Sequence, residues 1–370
     1  MKGAAMSFSD LLIHFPEIDD TQISCIDSVR AFQIAKIAER NCALVIAPNS
    51  RVADLLISEL QSITKTQIFE FLPWETLPHE RLSPKSDTVT KRIKVLKDIT
   101  DSSTQKIVVT SIRGLLQPIS KSILETAPLT LAPKLESDMQ DILERLIHFG
   151  FTRTDLVERR GDFAVRGGIV DVFPSDYEHP IRIDLFGDEI ESISFFTVTD
   201  QRTFEVLTSA VIFPSRELLI DEAVKAKAKY LSVEFPQIAE LAGKISEGIY
   251  AEGMESLVGA LKDDLTSLID LLPASYQIIT LDEARTISRA TDLIKTNAEF
   301  LEASWQSAAI GSQAPIDFGV GYFDYLELKK LRPEWIALNP YGDEVTVAIS
   351  NFKNSPDYGG KVELVFADIS

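Results

Sequence analysis

DSVRAFQIAKIAERNCALVIAPNSRVADLLISELQSI, residues Asp27 to Ile63, reads as helix, strand, helix. At its centre CALVIA, Cys42 to Ala47, is a short unbroken apolar run that ends at Pro48-Asn49-Ser50, the pattern of a strand between turns. The flanking segments repeat their apolar residues at helical spacing. Outward from here the rhythm persists, with a short strand in QIFEFL, a loop in PWETLPHERLSP, and a helix in SDTVTKRIKVLKDI for which Ser86 or Asp87 is the expected N-cap. A buried strand in KIVVTSI follows, then a short strand in APLTLAPK and a helix in ESDMQDILERLIHFG closed by Gly150. Helices alternating with strands predict a parallel α/β sheet.

From about residue 151 to 213 the texture changes to short β segments broken by Gly and Pro. In DFAVRGGIVDVFPSDYEHPIRIDLFGDEIESISFF, Asp162 to Phe196, the run IRIDLF alternates as a half-buried strand does. Ile181, Ile183 and Leu185 fall on one face and Arg182, Asp184 and Phe186 on the other. Gly187-Asp188 has the composition of a type II′ hairpin turn, glycine first. Pairing across it sets Leu185 opposite Ile190 and Ile183 opposite Ser192, leaving Arg182, Asp184, Phe186, Glu189, Glu191 and Ile193 on the second face. An arginine and an aromatic ring rimmed by acids is the composition of a docking hot spot. The plainer alternative buries Phe186 under a neighbouring loop. Arg166, just before Gly167-Gly168, is expected on a strand beside this hairpin.

Past VIFPSRELLID the pattern is helical through EAVKAKAKYLSVEF, PQIAELAGKISEGIY and ESLVGALKDDLTSLIDLL. A strand in YQIITL and a long helix in DEARTISRATDLIKTNAEFLEASW come next, and from about 310 periodicity is weak. The simplest organisation is an α/β domain interrupted by a β-rich insert and then resumed.

Composition narrows the function. The 370 residues include 45% hydrophobic and 25% charged ones, as in globular proteins, and 56 acidic against 37 basic residues give a net charge of -19. Such a chain repels a phosphate backbone unless cations cluster. Lys225, Lys227 and Lys229 spread around a helix instead of forming a stripe. The two cysteines, Cys25 and Cys42, allow no disulfide framework or zinc pair and fit a reducing cytoplasm. The four histidines are scattered, and no HExxH or GxSxG occurs, so no metal or cofactor is expected and no catalytic residue is assigned. At SCIDSVRAFQIAK, where a phosphate-binding loop would stand, there is neither glycine nor GK[ST], so neither ATP binding nor hydrolysis is expected.

FLPWETLPHERLSP, VVTSIRGLLQP, GFTRTDLVERRGDFAVRGGIVDVFP, IRIDLFGDEIESISFFTVTDQRT and EFLEASW together resemble the N-terminal part of the bacterial transcription-repair coupling factors. The resemblance covers nearly the whole chain and implies a degenerate helicase-like α/β domain, similar to the first domain of UvrB, in two pieces around an inserted UvrA-binding domain. It divides the chain into a first segment over 1–134, the insert over 135–213, a helix-rich second segment over 214–340, and a tail over 341–370 leading toward a next domain. It assigns Arg166, Arg182 and Phe186 to the UvrA contact. It also implies an ATP-driven DNA motor and an RNA-polymerase-binding domain elsewhere in the full-length proteins, so that this chain is an adaptor reaching polymerase and DNA only through regions it lacks. The same surface is expected either to take UvrA or to contact the C-terminal domain of its own full-length chain in an autoinhibitory role. A DNA-dependent ATPase or translocase is the enzymatic alternative.

Overall fold

The computed structural model describes residues 21–100, 104–308, 321–332, 334–340 and 347–348. The first segment runs β1 (Gln22–Ser24), α1 (Asp27–Ala38), β2 (Cys42–Ala47), α2 (Ser50–Ile63), β3 (Gln67–Phe71), α3 (Ser86–Ile99), β4 (Lys106–Ser111), α4 (Ile112–Leu116), β5 (Ile119–Ser120), α5 (Ser122–Glu125) and β6 (Leu129–Leu131). The insert holds α6 (Met139–His148), β7 (Thr152–Arg153), β8 (Asp162–Arg166), β9 (Ile169–Val172), β10 (Ile181–Phe186), β11 (Glu189–Phe196), β12 (Thr203–Val206) and β13 (Ala210–Ile212). The chain returns through α7 (Glu222–Glu234), α8 (Ala239–Ser246), α9 (Val258–Leu261), β14 (Leu265–Thr266) and α10 (Leu268–Leu271). It ends in β15 (Tyr276–Leu281), α11 (Glu283–Ala308), α12 (Tyr325–Leu331), β16 (Ile336–Asn339) and β17 (Val347–Ala348).

Seven strands form one sheet in the order β17-β1-β16-β15-β2-β4-β3, and every pairing in it is parallel. A parallel sheet must be covered on both faces, which is why β2 and β4 are buried at every position, β2 with apolar residues alone and β4 with Ile107, Val108 and Val109 at its centre. Leu44 and Ile46 point into one layer with Ile93 and Leu96 of α3 and Ala290 of α11. Ala43 and Val45 point into the other, with Ile34 of α1 and Leu56 and Leu60 of α2. The sheet therefore joins the start of the chain to its return, as a domain in two segments requires. β1 and β16, three and four residues long, are too short to show periodicity in the sequence. The tail assigned to 341–370 lies outside the described residues, apart from β17.

Two expectations need correction. α3 is capped by Lys85 with no side-chain bond, so Ser86 and Asp87 lie inside its first turn, where Asp87 favours the positive end of the helix dipole. The stretch ESLVGALKDDLTSLIDLL is not one helix: a 3-10 turn over Met254–Leu257 leads into α9, and the chain then breaks into β14 and α10. Two side chains make the break. Asp264 takes hydrogen bonds from the Ser122 N–H at 2.7 Å and Ser120 Oγ at 2.9 Å, and Ser267 with Asp270 forms a capping box that starts α10 afresh.

The insert is closed at its neck by the antiparallel pair β6/β13, in which Leu129 meets Ile212 and Leu131 meets Ala210. Both leucines lie in the insert's own core with Ile142, Leu146, Phe163, Val172 and Ile183. β6 thus finds its partner only after the insert has been traversed. Where the chain re-enters the main domain, the fully buried Arg92 of α3 holds Glu217, which is 5% exposed. Trp74 Nε1 donates to the same carboxylate at 3.0 Å, and Arg92 Nη1 donates to Leu72 O at 2.7 Å. Arg92 also lies over the Phe71 ring, 4.3 Å from its centroid. Among the described residues no helix is long and apolar enough to cross a membrane.

Candidate functional site at the tip of the inserted sheet

The insert's sheet runs β12-β11-β10-β9-β8-β7. Its inner face carries Phe163, Val170, Val172, Ile181, Ile183, Leu185, Ile190 and Ile193 against α6. The outer face follows from the register. Ala164, Asp171, Arg182 and Ser194 make one cross-strand row, and Arg166, Ile169, Asp184 and Ser192 the next. Arg166, Arg182 and Phe186 therefore share one face of one sheet. β9 lies between β8 and β10, so Arg166 stands two strands from the hairpin and not beside it.

The expected pairing holds at the tip and fails below it. Phe186 pairs with Glu189 around Gly187-Asp188, and Leu185 pairs with Ile190. Gly187 has φ +62° and Asp188 is not among the positive-φ residues, as a type II′ turn demands. A bulge at Glu191 then shifts the register, so Ile183 meets Ile193 and Asp184 meets Ser192. The extra residue moves Ile193 to the buried face, with 0% exposure, where the sequence pattern alone set it outside.

Each of the three residues has a distinct environment. Phe186 is 82% exposed, the most exposed of the large apolar side chains among the described residues. Arg166 is also exposed, and its Nη2 donates to the Asp155 carbonyl at 3.2 Å. Arg182 is already engaged: Nε and Nη2 donate to the two oxygens of Asp171 at 2.7 and 2.8 Å, and Nη1 donates to Gln201 O at 3.1 Å. The hydrogen bonds it donates to Asp171 hold the guanidinium above its ordinary pKa, and Arg182 also covers the Phe196 ring at 4.8 Å. Asp171 is 1% exposed, so this is a desolvated bidentate pair and not a loose surface one.

The tip is braced rather than free-standing. Beyond the reach of β12, the outer edge of β11 is taken up by the segment after β6. Lys134 N–H donates to Ile190 O at 2.8 Å, Ile190 N–H to Leu135 O at 3.1 Å, and Ser137 N–H to Asp188 O at 2.7 Å. On the other flank Leu185 N–H donates to Gly168 O at 2.8 Å. A Cβ on Gly168 would stand 2.6 Å from Leu185 O, so this close approach of β9 to β10 requires glycine. The backbone that carries the Phe186 ring is thereby held in place, which lowers the ordering cost of docking. Sequence reading missed Asp171 and the 134–137 brace. Asp171 left a signal, as a lone acid inside the apolar run GGIVDVF, but the brace left none.

At the β1–α1 junction only Cys25 and Ile26 separate strand from helix. Cys25 N–H donates to Asn339 O at 2.7 Å, and burial pushes its thiol up to about 12.

The parallel domain in two segments, with its hairpin-bearing insert, defines a UvrB-like module. A family model for the UvrB interaction domain matches residues 129–218, from β6 to just past β13, which is the insert as its neck closes it. Over 350 residues the chain is 36% identical to the transcription-repair-coupling factor of Mycobacterium tuberculosis, covering 87% of this chain and 28% of that one. It is 30% identical over 193 residues to that of Escherichia coli, covering 51% of this chain and 17% of the other. The UvrABC system protein B of Thermosipho africanus is 27% identical over 254 residues, 64% of this chain and 38% of its own. The chain is similar to transcription-repair-coupling factors over most of its length, and it spans 28% of the Mycobacterium tuberculosis one and 17% of the Escherichia coli one.

Proposed function

We propose that this chain is a non-catalytic adaptor in transcription-coupled nucleotide-excision repair, acting in the cytoplasm, and that it recruits UvrA through the outer face of the inserted sheet. The exposure of Phe186 on a braced turn carries this reading. An aromatic side chain loses free energy in water and regains it when a partner covers it. Arg166 lies on the same face with its charge in solvent, suited to a carboxylate on the partner. Arg182 acts differently: its guanidinium is held by Asp171, so it supports the face and offers the partner only the edge left free. RNA polymerase and DNA are reached through other parts of the full-length protein.

The scaffold itself performs no ATP turnover in this reading, because the β1–α1 junction carries no glycine and no GK[ST]. Titrating UvrA with the purified chain tests the adaptor role. Saturable binding that Phe186→Ala weakens supports it. Absence of binding by the folded chain, or ATP hydrolysis abolished by changes in residues 26–36, would overturn it.

A further inference from the structure

A second site lies on the main domain, far along the chain from the hairpin. β15, β2 and β4 are adjacent and parallel, and the segments that follow them, the early turns of α11, the start of α2 and the β4–α4 junction, line one cleft of about 620 Å³. From β2 the chain passes into α2 on one face of the sheet, and from β15 into α11 on the other. The cleft is thus the crevice where the winding of an open α/β sheet reverses, the place at which such sheets bind ligands.

Its lining is cationic in a chain of net charge -19. Arg51 comes from the first turn of α2, Arg113 from α4 directly after β4, and Arg285 and Arg289 from α11, with Asp292 as the one acid. Arg285, Arg289, Asp292, Leu293 and Thr296 recur at helical spacing, so one stripe of α11 faces the cleft. Asp292 is 3.9 Å from Arg289. Arg51 and Arg285 have no ion pair among the described residues, and both are exposed. Arg113 is fixed: Nη2 donates to the carbonyls of Glu75 and Thr76, both at 2.9 Å. Four arginines against one carboxylate repel one another, and an anion between them removes that cost.

The geometry points to a binding site for a compact phosphate-bearing anion in this cleft, recognised by Arg51, Arg113, Arg285 and Arg289 at the first turn of α2. Guanidinium groups bind phosphate oxygens through paired N–H donors, and a helix start adds a favourable dipole. The ligand is small for two reasons. No aromatic side chain lines the cleft to stack a base, and the surrounding negative charge repels a long polyanion while leaving a local concavity attractive. The site is independent of the UvrA reading, since it shares no residue with the hairpin.

Calorimetric titration of sodium pyrophosphate into the full chain, in low-chloride buffer at neutral pH, tests this. One saturable site is expected, and Arg285→Ala combined with Arg289→Ala is expected to weaken it by about tenfold or more. Both arginines are exposed, so the melting temperature of the double variant should match that of the parent. A parallel titration with a short oligothymidylate separates a free phosphate compound from a nucleic-acid backbone; it is expected to bind no more tightly than pyrophosphate. No saturable pyrophosphate binding, binding unaffected by the double substitution, or oligothymidylate binding about tenfold tighter than pyrophosphate would each overturn the proposal.

Discussion

Arg182 and Asp171 face each other across β10 and β9 in a two-bond clamp at 2.7 and 2.8 Å, and the aspartate is all but closed to solvent. Four residues further along β10, on the same face, Phe186 is 82% exposed. Two residues that look alike as docking candidates in sequence therefore do separable work, one holding the sheet together and the other presenting apolar surface.

Phe186→Ala is expected to weaken UvrA binding by about 2 kcal/mol, the loss typical of a central aromatic anchor, and to change folding stability by less than about 1 kcal/mol. Thermal unfolding and UvrA titration on the same variant check this. A large fall in melting temperature with unchanged affinity per folded molecule would show that the ring belongs to the core.

Arg182→Ala reverses that ratio. It strands the Asp171 carboxylate in a nearly dry site, and leaving one partner of a buried pair costs about 3 to 5 kcal/mol. The expected result is a marked loss of stability, partly recovered in the Arg182→Ala, Asp171→Ala double variant, where no charge is left unpaired. Equal melting temperatures for the single and double variants would count against the clamp.

Much of this arrangement is legible in the sequence. CALVIA and the IVV centre of KIVVTSI reveal the parallel sheet because strands covered on both faces read as short apolar runs instead of alternating. IRIDLF reveals the hairpin because its outer face alternates, and Gly187-Asp188 fixes the turn. The bulge at Glu191 was not legible: a one-residue register shift has no compositional mark and is settled by which face buries Ile193. The partner of Arg182 lies on another strand, and β6 pairs only with β13, so both depend on tertiary proximity. The arginine cleft is hidden for the same reason, since Arg51, Arg113, Arg285 and Arg289 come from three separate helices that meet only in the folded domain.

Gly168→Ala should destabilise the insert by about 1–3 kcal/mol, as overpacking against a backbone atom does, because the new methyl meets the Leu185 carbonyl. Chemical denaturation of the variant measures this. Since the contact lies directly behind the tip, UvrA affinity per folded molecule is expected to fall as well. A variant as stable as the parent would mean that β9 and β10 can separate without loss.

Acid should loosen the return segment through Asp264. Burial opposes ionisation of this carboxyl, but hydrogen bonds from the Ser122 N–H and Ser120 Oγ, aided by the charge of Lys262, outweigh it and hold its pKa below the ordinary 3.8. A depressed folded-state pKa contributes stability that is fully present above the unfolded value and is lost as pH falls through the folded one. The contribution is therefore complete above about pH 5 and fades below pH 4. Asp264→Asn should lower the melting temperature at neutral pH and narrow the gap to the parent as the pH drops. A gap that stays constant down to pH 3 would sink the assignment.

The joint between insert and scaffold supplies the sharpest test of how the two parts depend on each other. Arg92 and Glu217 are both buried, and the carboxylate also takes the Trp74 indole N–H while Arg92 reaches the Leu72 carbonyl. Glu217→Ala would leave a guanidinium desolvated beside apolar rings, at a cost of about 3 to 5 kcal/mol. Glu217→Gln keeps the shape and one acceptor oxygen but removes the charge, so it should cost less. Glu217 sits where the chain re-enters the main domain after β13, and so the loss should appear as unfolding of the α/β domain while the insert, with its separate core, outlasts it. Hydrogen exchange resolved by segment reads this directly. Faster exchange in β2 and β4 with protection retained in β9 and β10 is the expected pattern, whereas uniform loss across both would show that scaffold and insert unfold as one unit.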